Sequence, residues 1–266
     1  MVEEISSKVG DAMRSEDDWP NLLRRHIDER DSRHAYAIHA PKSLVPVLNN
    51  LRRRKPTVGR MLDLGCGYGG LTLALAEFLG AQETWGVEIV DHRIEGARKR
   101  NLNVAKLDLE SDPLPFEDES VDLVTSFGLL DHLVYWDNLL AETHRVLSRD
   151  GYFLLSATNL RNYVSLISLL LGYQPRDIEV SKKHLVGILP VRHKDTEPGG
   201  HLHTLTPKAL IELLERNSFE VIQVKPLRNT IDDNLLIDLL DRFVCLNVAL
   251  CRRIMVLATK IDLAST

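Results

Sequence analysis

From about Arg60 onward, short apolar runs alternate with longer stretches whose apolar residues recur at helical spacing: RMLDL, GGLTLALAEFLG, TWGVEI and DHRIEGARKRN in succession. Such alternation signals βαβ units on a parallel sheet, because a parallel neighbour needs a crossover long enough to hold a helix. Further runs suited to strands follow at 103–107, 121–126, 152–158, 219–225 and 253–259, which makes seven candidate strands. Helical patterns fall between them at 69–80, 91–101, 136–147 and 206–217. The last opens on Thr206-Pro207, an N-cap followed by proline at the first helical position. With 266 residues, 44% of them hydrophobic, the chain has enough apolar material to cover both faces of such a sheet.

The rest of the chain is arranged around that core as parts of one domain spanning 1–266. Before Arg60, Trp19, Leu22, Leu23, His26 and Ile27 recur at helical spacing, and Leu44, Val47, Leu48 and Leu51 do so again, so 1–57 reads as a helical cap. Residues 58–158 hold the regular core, 159–205 form an insertion, and 206–266 supply a final helix and strands. The insertion pairs an apolar helix at 160–171 with a long polar loop, and a connection of that length inside an α/β domain is usually functional. That helix, with Tyr163, Val164, Leu166, Ile167 and Leu170, is expected to pack on the sheet edge as a lid, a lipid-facing role being the alternative.

Charge narrows the partners. Lys and Arg number 33 against 38 Asp and Glu, a formal charge of −5, and aromatics are 6%, so the footprint of a bulk nucleic-acid binder is missing. No stretch offers about 20 uninterrupted apolar residues, so no transmembrane segment is expected. The acidic N-terminus carries no legible secretory signal, which places the start of the mature chain near Met1. Cys66, Cys245 and Cys251 are odd in number and lack CxxC spacing, and a cytoplasmic, reducing setting fits them best.

The chemistry concentrates in MLDLGCGYGGL, residues 61–71, a strand running through a glycine turn into a helix. Gly65 and Gly67 allow the backbone to turn tightly and approach a ligand, and the helix start offers free N–H groups. Gly65, Gly67 and Gly70 also satisfy the dinucleotide fingerprint, with Glu88 near its ribose-binding offset, so this segment alone leaves two cofactor classes open. Three carboxylates separate them. Asp63, at the end of the first strand, would repel a pyrophosphate but attract an ammonium group. Glu88 suits two ribose hydroxyls, and Asp108, in KLDLES, suits an adenine amine. The ligand so outlined has an adenine, a ribose and a cationic tail.

These segments, in order, resemble the class I S-adenosylmethionine-dependent methyltransferases, and among them the methyltransferase-11-like group acting on small molecules or glycans. MLDLGCGYGG resembles the first motif, GVEI the acidic end of the second strand, and KLDLESDPLPFEDESVDLVTSFGLLDHL the adenine-contact and fourth-strand motifs. LLAETHRVLSRDGYFLLSATN is similar to the helix and fifth strand that follow, with Asp150-Gly151 where the family usually has Gly-Gly. The resemblance implies a Rossmann-like, doubly wound α/β fold whose seven-stranded sheet is mostly parallel with an antiparallel last strand at 253–259. It implies S-adenosylmethionine as cofactor. Asp63, Gly65 and Gly67 would line its methionine end, Glu88 with Ile89 the ribose, and Asp108 with Leu109 the adenine, while Ser126 and Phe127 edge the site.

Methyl transfer to a hydroxyl or amine needs an aligned acceptor and a base, and a near-neutral histidine suits that base. His132, just after the fourth strand, is the first candidate, and His201 and His203 in GGHLHTLTP are the others; a structural hydrogen bond is the alternative for each. His193, Asp195, His201 and His203 cluster in sequence, but no fourth ligand has motif spacing, so no metal is assigned. Tyr36 is a candidate for the substrate side, with core packing as its alternative. Cys66 reads as a small loop residue, Glu142 and Arg145 as a helix-surface pair, and Arg52 to Lys55 as a solvated basic helix end. The acceptor expected from the resemblance is the hydroxyl or amine of a small molecule or glycan sugar. A nicotinamide-dependent oxidoreductase and a non-catalytic cofactor-binding subunit of the same fold are the competing readings, and nothing in the sequence sets the oligomeric state.

Overall fold

The computed structural model describes residues 18–28, 30–31, 41–189, 198–227 and 243–261. Its centre is one seven-stranded sheet of order β3-β2-β1-β4-β5-β7-β6. The strands are β1 (Arg60–Leu64), β2 (Glu83–Glu88), β3 (Asn103–Lys106), β4 (Val121–Phe127), β5 (Leu147–Thr158), β6 (Phe219–Pro226) and β7 (Arg253–Lys260). β7 runs antiparallel to both its neighbours, β5 and β6, and the remaining pairs are parallel. The strand order reverses between β1 and β4, and the crevice at their carboxyl ends is where an open α/β sheet holds its ligand.

The described helices are α1 (Asp18–His26), α2 (Pro41–Arg54), α3 (Gly70–Leu79), α4 (Asp91–Arg98), α5 (Asp137–Val146), α6 (Tyr163–Leu170) and α7 (Pro207–Arg216). α1 and α2 place Trp19, Leu22, Leu44, Leu48 and Leu51 in one apolar layer with Leu75 and Phe78 of α3 and Met61 and Leu123 of the sheet. The opposite layer joins Leu139 and Leu140 of α5 and Leu210 and Leu214 of α7 to Leu62, Val124 and Phe153. Burial on both faces explains why the central strands read as continuous apolar runs rather than alternating ones. At the start of α7 the Thr206 hydroxyl accepts from the Ala209 amide at 3.3 Å, with Pro207 at the first helical position.

Three expectations change. α6 does not pack its leucines on the sheet edge: Ser165 and Ser168 are buried, whereas Leu169 and Leu170 are 56% and 86% exposed. The cause is its anchorage, since the Asn162 side chain caps the helix by accepting from the Ser165 amide and donates to the Ser165 hydroxyl at 2.8 Å, which turns the serine face inward. A disulfide joins Cys245 to Cys251, a pairing the count of three cysteines did not suggest; the short turn of helix at Val248–Leu250 returns the chain between them, and Cys66 stays free and buried. Lys55, read as part of a solvated run, instead bonds Asp150 at 2.7 Å and Asp122 at 2.9 Å. Among the described residues no helix is long and apolar enough to cross a membrane.

Candidate active site

The loop from β1 to α3 is built by glycines because its backbone demands them. Gly65, Gly67 and Gly69 have φ of 76°, 57° and 81°, the left-handed region that side chains disfavour. A Cβ on Gly65 would also sit 3.0 Å from Leu129 Cδ1. The amides of Gly65 and Cys66 both donate to the Val87 carbonyl, at 2.8 and 3.0 Å, so the loop is laid against the end of β2. α3 begins at Gly70 with no side chain capping its first amides, an opening suited to a polar ligand.

Around this cradle stand the carboxylates. Asp63 is 4% exposed and accepts from the hydroxyls of Thr72 and Thr125, one on α3 and one on β4. Burial pushes its pKa up to about 6, the two threonine bonds oppose that, and the Glu88 charge adds to it. Glu88, also buried, accepts from the amides of Ile89 at 2.9 Å and Val90 at 3.1 Å through one oxygen, and from Gly67 at 3.1 Å through the other. Asp108 is exposed and closes a turn, one oxygen accepting from the Glu110 amide at 3.0 Å. Ile89, 53% exposed, offers an apolar surface at the carboxyl end of β2. The side chains of Leu109 and Phe127 lie inside the apolar layers. Ser126 is fully buried and its hydroxyl has no hydrogen-bond partner among the described residues.

The second group of residues lies beyond β4. His132 Nδ1 sits 3.0 Å from the Gly200 carbonyl, and its ring centroid is 5.2 Å from that of His201. Nδ1 therefore carries the proton it donates to Gly200, which leaves the Nε2 lone pair for another partner. Desolvation lowers the His132 pKa below the ordinary histidine value and His201 adds to that, while the Gly200 bond opposes it. His203 follows on the exposed side of the same segment.

Two residues that organise this group escape sequence reading. Asp131 is 1% exposed; its carboxylate accepts from the Thr158 amide and hydroxyl, and its carbonyl accepts from the Leu202 amide at 2.7 Å. Glu179 accepts from the amides of both Gly199 and Gly200 at 2.7 Å and lies 3.8 Å from His201 Nδ1. An acidic residue within the apolar run GLLDHL was the only available signal for the first, and nothing in the polar loop marked the second.

Other candidates sort by position. Tyr36, His193 and Asp195 lie outside the described residues. Burial raises the Cys66 thiol pKa, and Asp63 and Glu88 raise it further, so the thiol stays protonated. Its sulfur fills the space beside Gly86, where a Cβ would come within 2.5 Å of it. Arg145 pairs with Glu142 and also donates to the carbonyls of Leu114 and Phe116. Among the described residues no three metal-ligating side chains converge.

A sheet of this order with β7 reversed, a glycine cradle, and carboxylates at the ends of β1 and β2 are arranged as the resemblance to the class I methyltransferases implies. Residues 62–155 match the family described as "Methyltransferase domain". Over 100 residues it is 32% identical to a sterol 4-C-methyltransferase of Caenorhabditis elegans, covering 35% of this chain and 29% of that protein. Over 113 residues it is 34% identical to a demethylmenaquinone methyltransferase of Staphylococcus aureus, covering 40% and 44% respectively. The match thus spans less than half the length of these curated relatives. In fold it is similar to an S-adenosylmethionine-dependent methyltransferase from Mesorhizobium loti, with a TM-score of 0.52 at 19% identity, covering 81% of this chain and 97% of that one. The matched family and the fold imply S-adenosylmethionine as cofactor, and the residues present suit it: a Cβ at Gly65 would crowd Leu129, and the buried carboxylates of Asp63 and Glu88 are acceptors for ammonium and hydroxyl groups.

Proposed function

We propose that this chain moves a methyl group from S-adenosylmethionine to a hydroxyl or amine of a small molecule or glycan sugar, with His132 as the base. The observation that carries this reading is the His132 ring itself, bonded through Nδ1 to Gly200 and tilted against the His201 ring at 5.2 Å beside the carboxyl end of β4. When bound, the cofactor supplies a methyl group on a sulfonium, an electrophile with its leaving group already attached. The task left to the chain is to hold that end, align the acceptor, exclude water and take a proton.

Asp63, Gly65 and Gly67 hold the methionine end in this account. Glu88 and Ile89 hold the ribose, and Asp108 receives the adenine amine. Leu109 and Ser126 contribute through main chain and hydroxyl, and Phe127 through the packing beneath them. Nε2 of His132 accepts the acceptor's proton, and burial, helped by His201, favours the neutral ring. His203 and Tyr36 are further candidates on the acceptor side.

The names of the curated relatives place their acceptors among sterols and menaquinones, and the outward leucines of α6 support an acceptor with an apolar portion here. The test is methyl transfer from labelled S-adenosylmethionine to hydroxyl- and amine-bearing acceptors, lipid-linked and free, by wild type and His132→Ala. Loss of transfer with S-adenosylhomocysteine affinity intact supports the reading; an active His132→Ala enzyme overturns it.

A further inference from the structure

We infer that α6 and the loop behind it form a docking surface for an anionic lipid bilayer, from which the acceptor is taken; this rests on the reading of an acceptor with an apolar portion. The helix is inverted relative to a packed one. Asn162, Ser165 and Ser168, spaced three apart, are 1%, 2% and 3% exposed and form its inward stripe. Leu166, Ile167, Leu169, Leu170, Leu171 and Tyr173 are all at least 36% exposed, reaching 86% at Leu170. A run of exposed leucines this dense exceeds the scattered apolar residues of an ordinary surface and marks an interaction site.

The charges around it select the partner. The Gln174 amide donates to the Gly187 carbonyl at 2.6 Å, which folds 174–187 into a loop starting directly beside Tyr173. That loop presents Val180 and Val186, 72% and 46% exposed, together with exposed Lys182 and Lys183. Exposed Arg161 stands at the other end of the helix. The acidic residues of the same loop, Asp177 and Glu179, are directed to His201 and to the amides of Gly199 and Gly200. Apolar side chains between cations suit a membrane with anionic headgroups, where leucines enter the acyl boundary and lysines meet phosphates. The loop continues through Glu179 and Gly200 to His132, so a docked bilayer would lie next to the proposed base.

The experiment is sedimentation of the full chain with phosphatidylcholine vesicles, with and without phosphatidylglycerol, in the absence of any acceptor. Wild type is expected to bind the anionic vesicles, less as salt rises. Leu169→Glu/Leu170→Glu lowers binding by about tenfold or more, and Lys182→Ala or Lys183→Ala by about fivefold each. All three variants keep the S-adenosylhomocysteine affinity and melting temperature of wild type. Should the leucine variant fail to fold, the lysine variants decide the question alone. Absence of wild-type binding to anionic vesicles overturns the inference, as does equal binding to neutral ones. So does a wild-type dimer that the leucine variant converts to monomer, since a second copy would then cover the face. Vesicle binding without methyl transfer to any acceptor would instead contradict the proposed function and leave the docking surface standing.

Discussion

The amide of Gly67 donates to the Glu88 carboxylate at 3.1 Å, joining the glycine loop after β1 to the end of β2. The same carboxylate also accepts from Ile89 and Val90, so its oxygens are held in place before any ligand arrives. A ribose bound there meets a preorganised acceptor, and the loop that wraps the rest of the cofactor depends on the same group.

Glu88→Ala should therefore weaken S-adenosylhomocysteine binding by about tenfold or more, because hydrogen bonds to a charged group are lost along with the tie to Gly67. Calorimetric titration checks this, and an unchanged affinity would remove Glu88 from the cofactor site.

The lowered pKa of His132 has a definite sign. As a base it must be neutral, so activity rises with pH through an acidic limb and then stays level. The midpoint of that limb is expected below the ordinary histidine value of about 6.5. His132→Ala should abolish the limb and lower kcat by about a hundredfold or more. A limb centred at or above the ordinary value would contradict the desolvated, Gly200-bonded ring.

Asp63 acts on stability in the opposite direction from a salt-bridged carboxylate. Its pKa is raised to about 6 in the folded chain, so between about pH 4 and pH 6 the folded state binds more protons than the unfolded state. Its contribution therefore makes stability fall as pH rises through that window, by on the order of 2–3 kcal/mol in total. In urea denaturation across that range Asp63→Asn should flatten the dependence. A variant with an unaltered slope would show that Asp63 does not titrate there.

Gly65→Ala imposes a side chain at φ 76° and brings a Cβ against Leu129. The expected cost is about 1–3 kcal/mol in denaturant unfolding, with weaker cofactor binding besides. A variant as stable as wild type would mean that the loop relaxes without penalty.

What the sequence disclosed and what it hid divide along a physical line. The glycine cradle was legible because left-handed backbone leaves few residue choices, and the strands because burial on both faces makes them continuous apolar runs. Thr206-Pro207 marked the start of α7 for the same local reason. Asp131 and Glu179 act through partners 27 and 20 or more residues away, contacts that leave no local pattern. The outward face of α6 was hidden because its two serines among leucines show no clear amphipathic period, and its orientation follows from the Asn162 anchorage. The pairing of Cys245 with Cys251 likewise follows from the turn between them rather than from a motif.

The central claim is that the glycine cradle with Glu88 and Asp63 receives S-adenosylmethionine and not a nicotinamide dinucleotide. Parallel thermal-shift titrations of the purified chain with S-adenosylhomocysteine and with NADH test it most directly. The account predicts that S-adenosylhomocysteine raises the Tm with saturation and that NADH leaves it unchanged. Stabilisation by NADH alone would contradict it.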